Sequence, residues 1–556
     1  MPRSANEIPL DNGIIIPQNH TLLPAYGNRV RHDVAKAIAA HQAGDLARAE
    51  RIYRKLIAAK RDLFHANHYL GVLRFQGGRL EEAKQLIGRA LKIDPTDDNA
   101  HYHHGMVLSA LKHHEDALSS FDASIALKPK NPSAHNNRGV TLLALKRHKE
   151  AIASFDAAIA LDPMFVEAHY NRANALRELR LFDLALAGYD RAVALKPDFP
   201  ARGWFWRGVT LFALNRDDEA VACYDKAIAA EPDFAEAYFS KSLVKLSLGD
   251  YTEGWRLYEL RWKTDQSRAR HFNRPAWRND ADLSGKTLLA HNEQGFGDTI
   301  QFVRYLEFFR GKNCRVILEA QKALALLLRE SGIEVIERDD AKLPPVETLP
   351  LFDYHCSLLD MPLAFGTTLD TIPASIPYLT APADKIAAWG ALLGERTKPR
   401  IGLAWSGNPA HTNDLSRSIR LDTLLPIMVD RCEWFSLQKH VHDYDRDALI
   451  NSPLRDVSDR LYDFADSAAL ISQLDVVITV DTSIAHLAGA LGKPIWIMLA
   501  FHPDFRWLRD RDDSPWYPTV KLFRQTADGT WADVFERVLS ELDRIAPADG
   551  RRDRHL

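Results

Sequence analysis

Asp475–Leu499, DVVITVDTSIAHLAGALGKPIWIML, reads as strand, helix and strand. The run Val476 to Val480 is apolar and β-branched, long enough for a buried strand, and Ile495 to Leu499 is a second such run. Between them, Asp481, Thr482 and Ser483 are short polar residues that suit the start of a helix, and Gly492 followed by Pro494 stops it. The spacing predicts a βαβ unit of a parallel sheet. A helix starting at the carboxyl edge of such a sheet turns unpaired N–H groups and its positive dipole end outward, which suits a phosphate or diphosphate. The plainer alternative is that the triplet only caps a structural helix.

The same alternation extends upstream. Thr287 to Ala290 reads as a strand, Gly295-Phe296-Gly297 as a tight turn, and Asp298 as the start of a helix running to Gly311; strands at Val316 to Leu318 and Ile333 to Ile336 flank a helix at Ala323 to Leu328. Proline-rich stretches at 343–350 and 372–382 read as loops that end this half-sheet. A second series opens at Arg400, with strands at Ile401 to Trp405 and Trp434 to Leu437 and a helix near Ser467 to Leu474 leading into the βαβ unit. Two such sheets facing each other leave a cleft at their carboxyl edges, and two Rossmann-like domains facing a cleft are the GT-B architecture.

The first half has a different grammar. Proline recurs at 95, 129, 163 and 197 in steps of 34, then at 232. Twelve residues before each stands alanine (83, 117, 151, 185, 220), and eight before stands a large residue (Ile87, Phe121, Phe155, Tyr189, Tyr224). Twenty-four before come Gly71, Gly105, Gly139, Ala173 and Gly208, small residues that let paired helices approach closely. These positions resemble the tetratricopeptide repeat, and imply an α superhelix with a concave groove that commonly holds peptide. A weaker copy precedes them and a truncated one runs from Ala235 to about Trp262. The expected organisation is an N-terminal extension (1–29), a repeat array (30–268), Rossmann-like halves at 286–385 (acceptor side) and 386–546 (nucleotide-sugar side), and a tail (547–556).

Composition excludes several classes. With 556 residues, 46% hydrophobic and 26% charged, the chain is an ordinary multidomain protein, and a formal net charge of -3 gives no reason to expect nucleic acid. No apolar run is long enough to span a bilayer or serve as a signal-peptide core, so cytoplasm is the expected compartment; oligomeric state stays open. Cys223, Cys314, Cys356 and Cys432 include no CxxC pair, and the His101–His104 and His113-His114 clusters lack a known ligand spacing, so no metal site is expected.

The run Asp481 to Ala488 with Ala490-Leu491-Gly492-Lys493-Pro494 resembles the donor-site motif of heptosyltransferase-type (family 9) glycosyltransferases, and Gly297-Asp298 is similar to their acceptor-side motif. Ser483 stands where a glycine is common in that family, and Gln294-Gly295-Phe296 precedes the Gly-Asp pair. The whole chain looks like bacterial tetratricopeptide-repeat glycosyltransferase-like proteins. The resemblance implies an inverting, metal-independent transfer of a hexosyl or heptosyl group from a nucleotide-sugar, with no further cofactor. Asp298 would be the catalytic base, or else only the cap of its helix. Asp481, Thr482, Ser483 and His486 would hold the diphosphate; Arg417 is the candidate cation, with pairing to Asp414 as its alternative, and Asn408 lies in the same polar loop. Gln438 and Lys439 follow a strand where such enzymes meet base or ribose, and Asp463 and Phe464 would border the base. Arg506-Trp507-Leu508 and Ser514 to Pro518 would shape a sugar pocket or simply pack. In the groove, Asn137 and Asn171 resemble the amide ladder of O-linked N-acetylglucosamine transferases, with His103 at the same repeat position and His135 and His169 at another. The acceptor is then most naturally a protein; a surface polysaccharide acceptor, or a non-catalytic repeat scaffold, are the alternatives.

Overall fold

The computed structural model describes residues 9–10, 14–15, 32–264, 270–339, 345–408, 414–526 and 529–546. The expected tail, most of the N-terminal extension and residues 409–413 of the polar loop lie outside them. Two short strands, β1 (Pro9–Leu10) and β2 (Ile14–Ile15), pair antiparallel. The chain divides into two compact units, Met1–Phe234 and Ala235–Leu556.

In the first unit each period forms a helix pair, such as Asp98–Ala110 with His114–Leu127 and Pro132–Ala144 with His148–Leu161. The glycines of the pattern have a steric cause. A Cβ on Gly105 would lie 2.8 Å from the Phe121 ring, and one on Gly139 would lie 2.6 Å from Phe155. The repeat that carries Ala173 compensates on its second helix with Gly188, where a Cβ would stand 2.9 Å from that of Ala173. The pair keeps its close approach by exchanging which helix bears the small residue.

The second unit holds two parallel sheets. The first orders β5 (Glu334–Arg338), β4 (Arg315–Gln321), β3 (Thr287–His291) and β6 (Tyr354–Ser357). The second orders β12 (Val520–Arg524), β11 (Ile495–Leu499), β10 (Val476–Val480), β7 (Arg400–Ala404), β8 (Glu433–Ser436) and β9 (Leu454–Arg455). Counted within itself, the second sheet runs 3-2-1-4-5-6, the doubly wound order, whose ligand crevice lies at the switch between its first and fourth strands, here β7 and β10. β10 is buried on both faces: Val477 enters the main core, while Val476, Ile478 and Val480 pack with Val534 and Val538 of the last helix. That double burial is why its sequence is an unbroken apolar run.

The boundary between units differs from the repeat-based expectation near 268. The truncated hairpin, Ala235–Ser247 and Tyr251–Tyr258, belongs with the α/β region. Tyr251, Trp255 and Tyr258 are buried in the same core as Phe302 and Trp516. The Trp516 indole donates to the Tyr251 hydroxyl at 2.9 Å, and the Trp255 ring stands edge-on to Phe302.

Candidate functional site

The β10 turn leads into the helix Ser483–Ala490, and Thr482 is its N-cap residue without a side-chain cap bond. The Thr482 hydroxyl is instead 3.2 Å from that of Thr479. Among the described residues, then, no capping side chain occupies the opening turn of this helix. The helix Phe296–Phe302 from the first half-sheet packs directly against it: a Cβ on Gly297 would lie 2.8 Å from His486 Cδ2 and 3.7 Å from Ser483 Cα. The start of the helix that carries Asp298 therefore meets the start of the helix that follows the Asp481–Ser483 turn.

Asp298 performs the capping role and something more. Its Oδ2 accepts the Gly295 N–H at 2.9 Å, and its Oδ1 pairs with Arg506. Arg506 is itself buried; it also donates to Asp504 at 2.8 Å and to the Gln301 side chain at 2.7 Å. Burial pushes the Asp298 carboxyl up from its ordinary range, against the pull of Arg506. Asp481 is pushed up to about 6, chiefly by burial and then by the Asp504 charge, with Arg417 and Arg506 opposing. Arg417 takes the alternative named for it, standing 3.4 Å from Asp414, and it also donates to the Asp481 carbonyl at 3.0 Å.

Other expected ligand groups are committed elsewhere. His486 is held between Gly297, the Trp507 ring at 5.4 Å and the Tyr517 hydroxyl at 2.9 Å. Burial and nearby arginines drive its pKa far down, so it is neutral and supplies no positive charge to a diphosphate. The Gln438 amide accepts from the Trp405 and Ser406 N–H groups and donates to the Ser406 and His440 carbonyls, fixing the β7 loop rather than facing a ligand. Lys439 donates to the Ser458 carbonyl, and Asp463 caps its helix through the Ala465 and Asp466 N–H groups. Asn408 is exposed at the edge of the described loop. Phe464 meets Phe296 ring to ring at 4.9 Å. Arg506 is the residue that pattern reading underrated; a charge set between aromatic residues, Phe505 and Trp507, was its one local signal.

The groove assignments need correction. Asn137 and Asn171 are 3% and 0% exposed and belong to a buried chain of bonds: Asn137 donates to the Tyr102 hydroxyl, Asn136 to Asn137, and Asn171 to Asn136, each at 3.1 Å. His103 is buried against His68 at 2.9 Å. His135 and His169 bond the carbonyls of Pro129 and Pro163, as His101 does with Pro95, tying each helix start to the preceding turn. These groups join repeats and leave no accessible amide ladder. Among the described residues no group of three or more His, Cys, Asp or Glu side chains is arranged to hold a metal, and no helix is long and apolar enough to cross a membrane.

The first unit is an array of tetratricopeptide-type helix pairs and the second a parallel-sheet α/β region; stacked repeats of this kind build extended surfaces. Residues 40–106, 102–164, 150–200 and 201–234 match the tetratricopeptide repeat family. Over 326 residues the chain is 26% identical to Protein FlbA of Caulobacter vibrioides, covering 55% of this chain and 54% of that protein. It thus spans about half the length of this curated relative. Similar solved structures include MamA (23% identity, 30% of this chain and 96% of that one, TM-score 0.28). A second is YrrB, described as a TPR protein with an unusual peptide-binding site (23% identity, 34% and 97%, TM-score 0.30).

Proposed function

We propose that the protein is a glycosyltransferase of GT-B type that moves a sugar from a nucleotide-sugar to an acceptor hydroxyl, with a protein acceptor recruited by the repeat array. The observation that carries this reading is the juxtaposition of two helix starts: a half-buried carboxylate, Asp298, on one, and on the other the Ser483–Ala490 start, whose N-cap residue makes no side-chain cap bond, with Arg417 beside it. The diphosphate sits on the first-turn N–H groups, and the helix dipole and Arg417 stabilise charge as it departs. The acceptor oxygen bonds to the anomeric carbon and its proton passes to Asp298. The bond from that carbon to the diphosphate oxygen breaks, and the electron pair leaves with the diphosphate. Burial raises the proton affinity of Asp298, which favours this role, and such a base contributes on the order of 10² to 10⁴ in rate.

One observation favours a scaffold with a non-catalytic α/β region: both Asp298 oxygens are already engaged, by Gly295 and Arg506. Thermal-shift screening against UDP-, GDP-, ADP- and CMP-sugars, followed by nucleotide release with candidate acceptors, separates the two. The transferase reading expects one donor to raise Tm and to turn over, and Asp298→Asn to abolish turnover while keeping the shift. A donor that binds without turnover against protein and glycan acceptors favours the scaffold, and activity retained by Asp298→Asn removes that residue from the base role.

A further inference from the structure

The first half-sheet carries a cavity of about 560 Å³ whose lining includes neither Asp298 nor the Asp481–Ser483 turn. Ala290 and Leu318 belong to the core that holds Ile300 and Phe302 of the Asp298 helix and do not line the cavity, whereas Cys356 borders both. His291, which pairs with Glu319 on one side and Ser357 on the other, points to the opposite face, and all three line the cavity. The short helices Glu259–Lys263 and Met361–Ala364 contribute Trp262 and Leu363 to its lining, and Phe272 and Trp277 from the segment before β3 form its wall, at a volume typical of small-molecule sites.

The charges of this cavity are already balanced. Arg270 reaches both Glu319 oxygens at 2.6 Å, with the Glu319 side chain 1% exposed. Glu293 and Asp360 share Arg261, at 2.6 and 2.7 Å, and Glu259 pairs with Arg278. Arg338 donates to the Asn292 carbonyl at 2.8 Å. Four carboxylates thus stand against four guanidiniums, an arrangement that favours a ligand without net charge.

One buried acceptor in the cavity has no donor. Asn292 is 4% exposed and lines it; its amide reaches only the Gln294 carbonyl at 3.5 Å, and its Oδ1 has no partner. A buried carbonyl oxygen left this way costs about 1–3 kcal/mol, so a group that donates to it is rewarded. Beside it, His291 and His355 lie 3.3 Å apart, and burial holds both pKa values down, His291 at about 3, so both rings are neutral and offer a donor and an acceptor rather than a charge. The Phe272 ring lies tilted against both, 4.8 Å from His291 and 4.3 Å from His355, and Trp277 continues the apolar wall. Neutral polar groups that both give and accept, planar charged pairs beside them and an aromatic wall together match hydroxyl groups on a ring with an apolar face.

We propose that this cavity binds a neutral saccharide at a site whose lining is distinct from Asp298 and the Ser483–Ala490 helix start. The test is saturation-transfer NMR on the full chain with glucose, galactose and N-acetylglucosamine as probes, and with glucuronic acid and inorganic phosphate as charged controls. The expected result is transfer to at least one neutral sugar, undiminished by added nucleotide. Asn292→Leu should weaken that signal about tenfold, as loss of one buried hydrogen bond does, without lowering Tm. If that variant does not fold, His355→Phe carries the same expectation. Absence of transfer from all three neutral sugars, response to the charged probes alone, or an unchanged signal in a folded Asn292→Leu overturns the proposal.

Discussion

A single repeat position shows how far residue-level reading goes. His103, Asn137 and Asn171 occupy equivalent places in successive repeats, and their polarity pointed to a groove. The spacing fixes the repeat position but not which side of the helix closes against the next repeat, and these side chains turn out to be the closure. The His68–His103 pair has a pH consequence. Burial holds His103 at about 4 and His68 far below its ordinary value, whereas in the unfolded chain both titrate near 6.5. Above 6.5 neither state binds protons and the full stability is present. As pH falls below 6.5 the unfolded chain gains protons the fold refuses, so stability drops until His103 itself protonates near 4. Between those limits each histidine contributes a slope of about 1.4 kcal/mol per pH unit. Hydrogen exchange in the helices Leu63–Gln76 and Asp98–Ala110 should therefore accelerate from pH 6.5 to 4. His103→Asn, the residue its neighbours carry, should flatten that dependence; an unchanged slope would rule the pair out as its source.

Helices and strands were legible because each obeys a local rule: a small residue opposite a ring in every repeat, an unbroken apolar run where a strand is covered on both faces. A backbone constraint hidden in the same period was not. The turn inside each helix pair needs one residue in the left-handed region, and the positions 44, 78, 112, 146, 180, 215 and 249 all adopt it. Glycine stands at 44, 78 and 249, but Lys112, Lys146 and Arg180 take φ of 62, 59 and 60° with a side chain. At the first of these, the His113 N–H bonds the Leu108 carbonyl at 2.9 Å and the Lys112 N–H bonds Ser109 at 3.0 Å, which fixes the conformation. An L residue there costs about 1–2 kcal/mol, part of which glycine forfeits through greater freedom in the unfolded chain. Lys112→Gly, Lys146→Gly and Arg180→Gly should each raise stability by about 0.5–1 kcal/mol in denaturant titration. A fall in midpoint for all three would mean that the cation at the helix end outweighs the backbone term.

The division of the chain is where sequence period and three-dimensional packing part company. The repeat spacing continues through Gly254, Trp255 and Tyr258, so the eye assigns that hairpin to the array. What the period does not encode is the partner of its apolar face, supplied by Phe302, Phe505 and Trp516 from far along the sequence. For the same reason Arg506 was invisible as the partner of Asp298, 208 residues away. Trp255 has four aromatic neighbours within 6.0 Å, so truncation at this site opens a large cavity in the core. Trp255→Ala in the full chain should cost about 3–5 kcal/mol, taken from the α/β unit rather than from the repeats. A chain starting at Ala235 should accordingly unfold in one cooperative transition. One starting at Lys286, where the strand alternation begins, loses Tyr251, Trp255, Tyr258 and Trp277 from the core and should expose apolar surface to a hydrophobic dye without a sharp melt. If the shorter chain melts as sharply and at the same temperature as the longer one, the hairpin is an ornament of the array, and the α/β region owes it nothing.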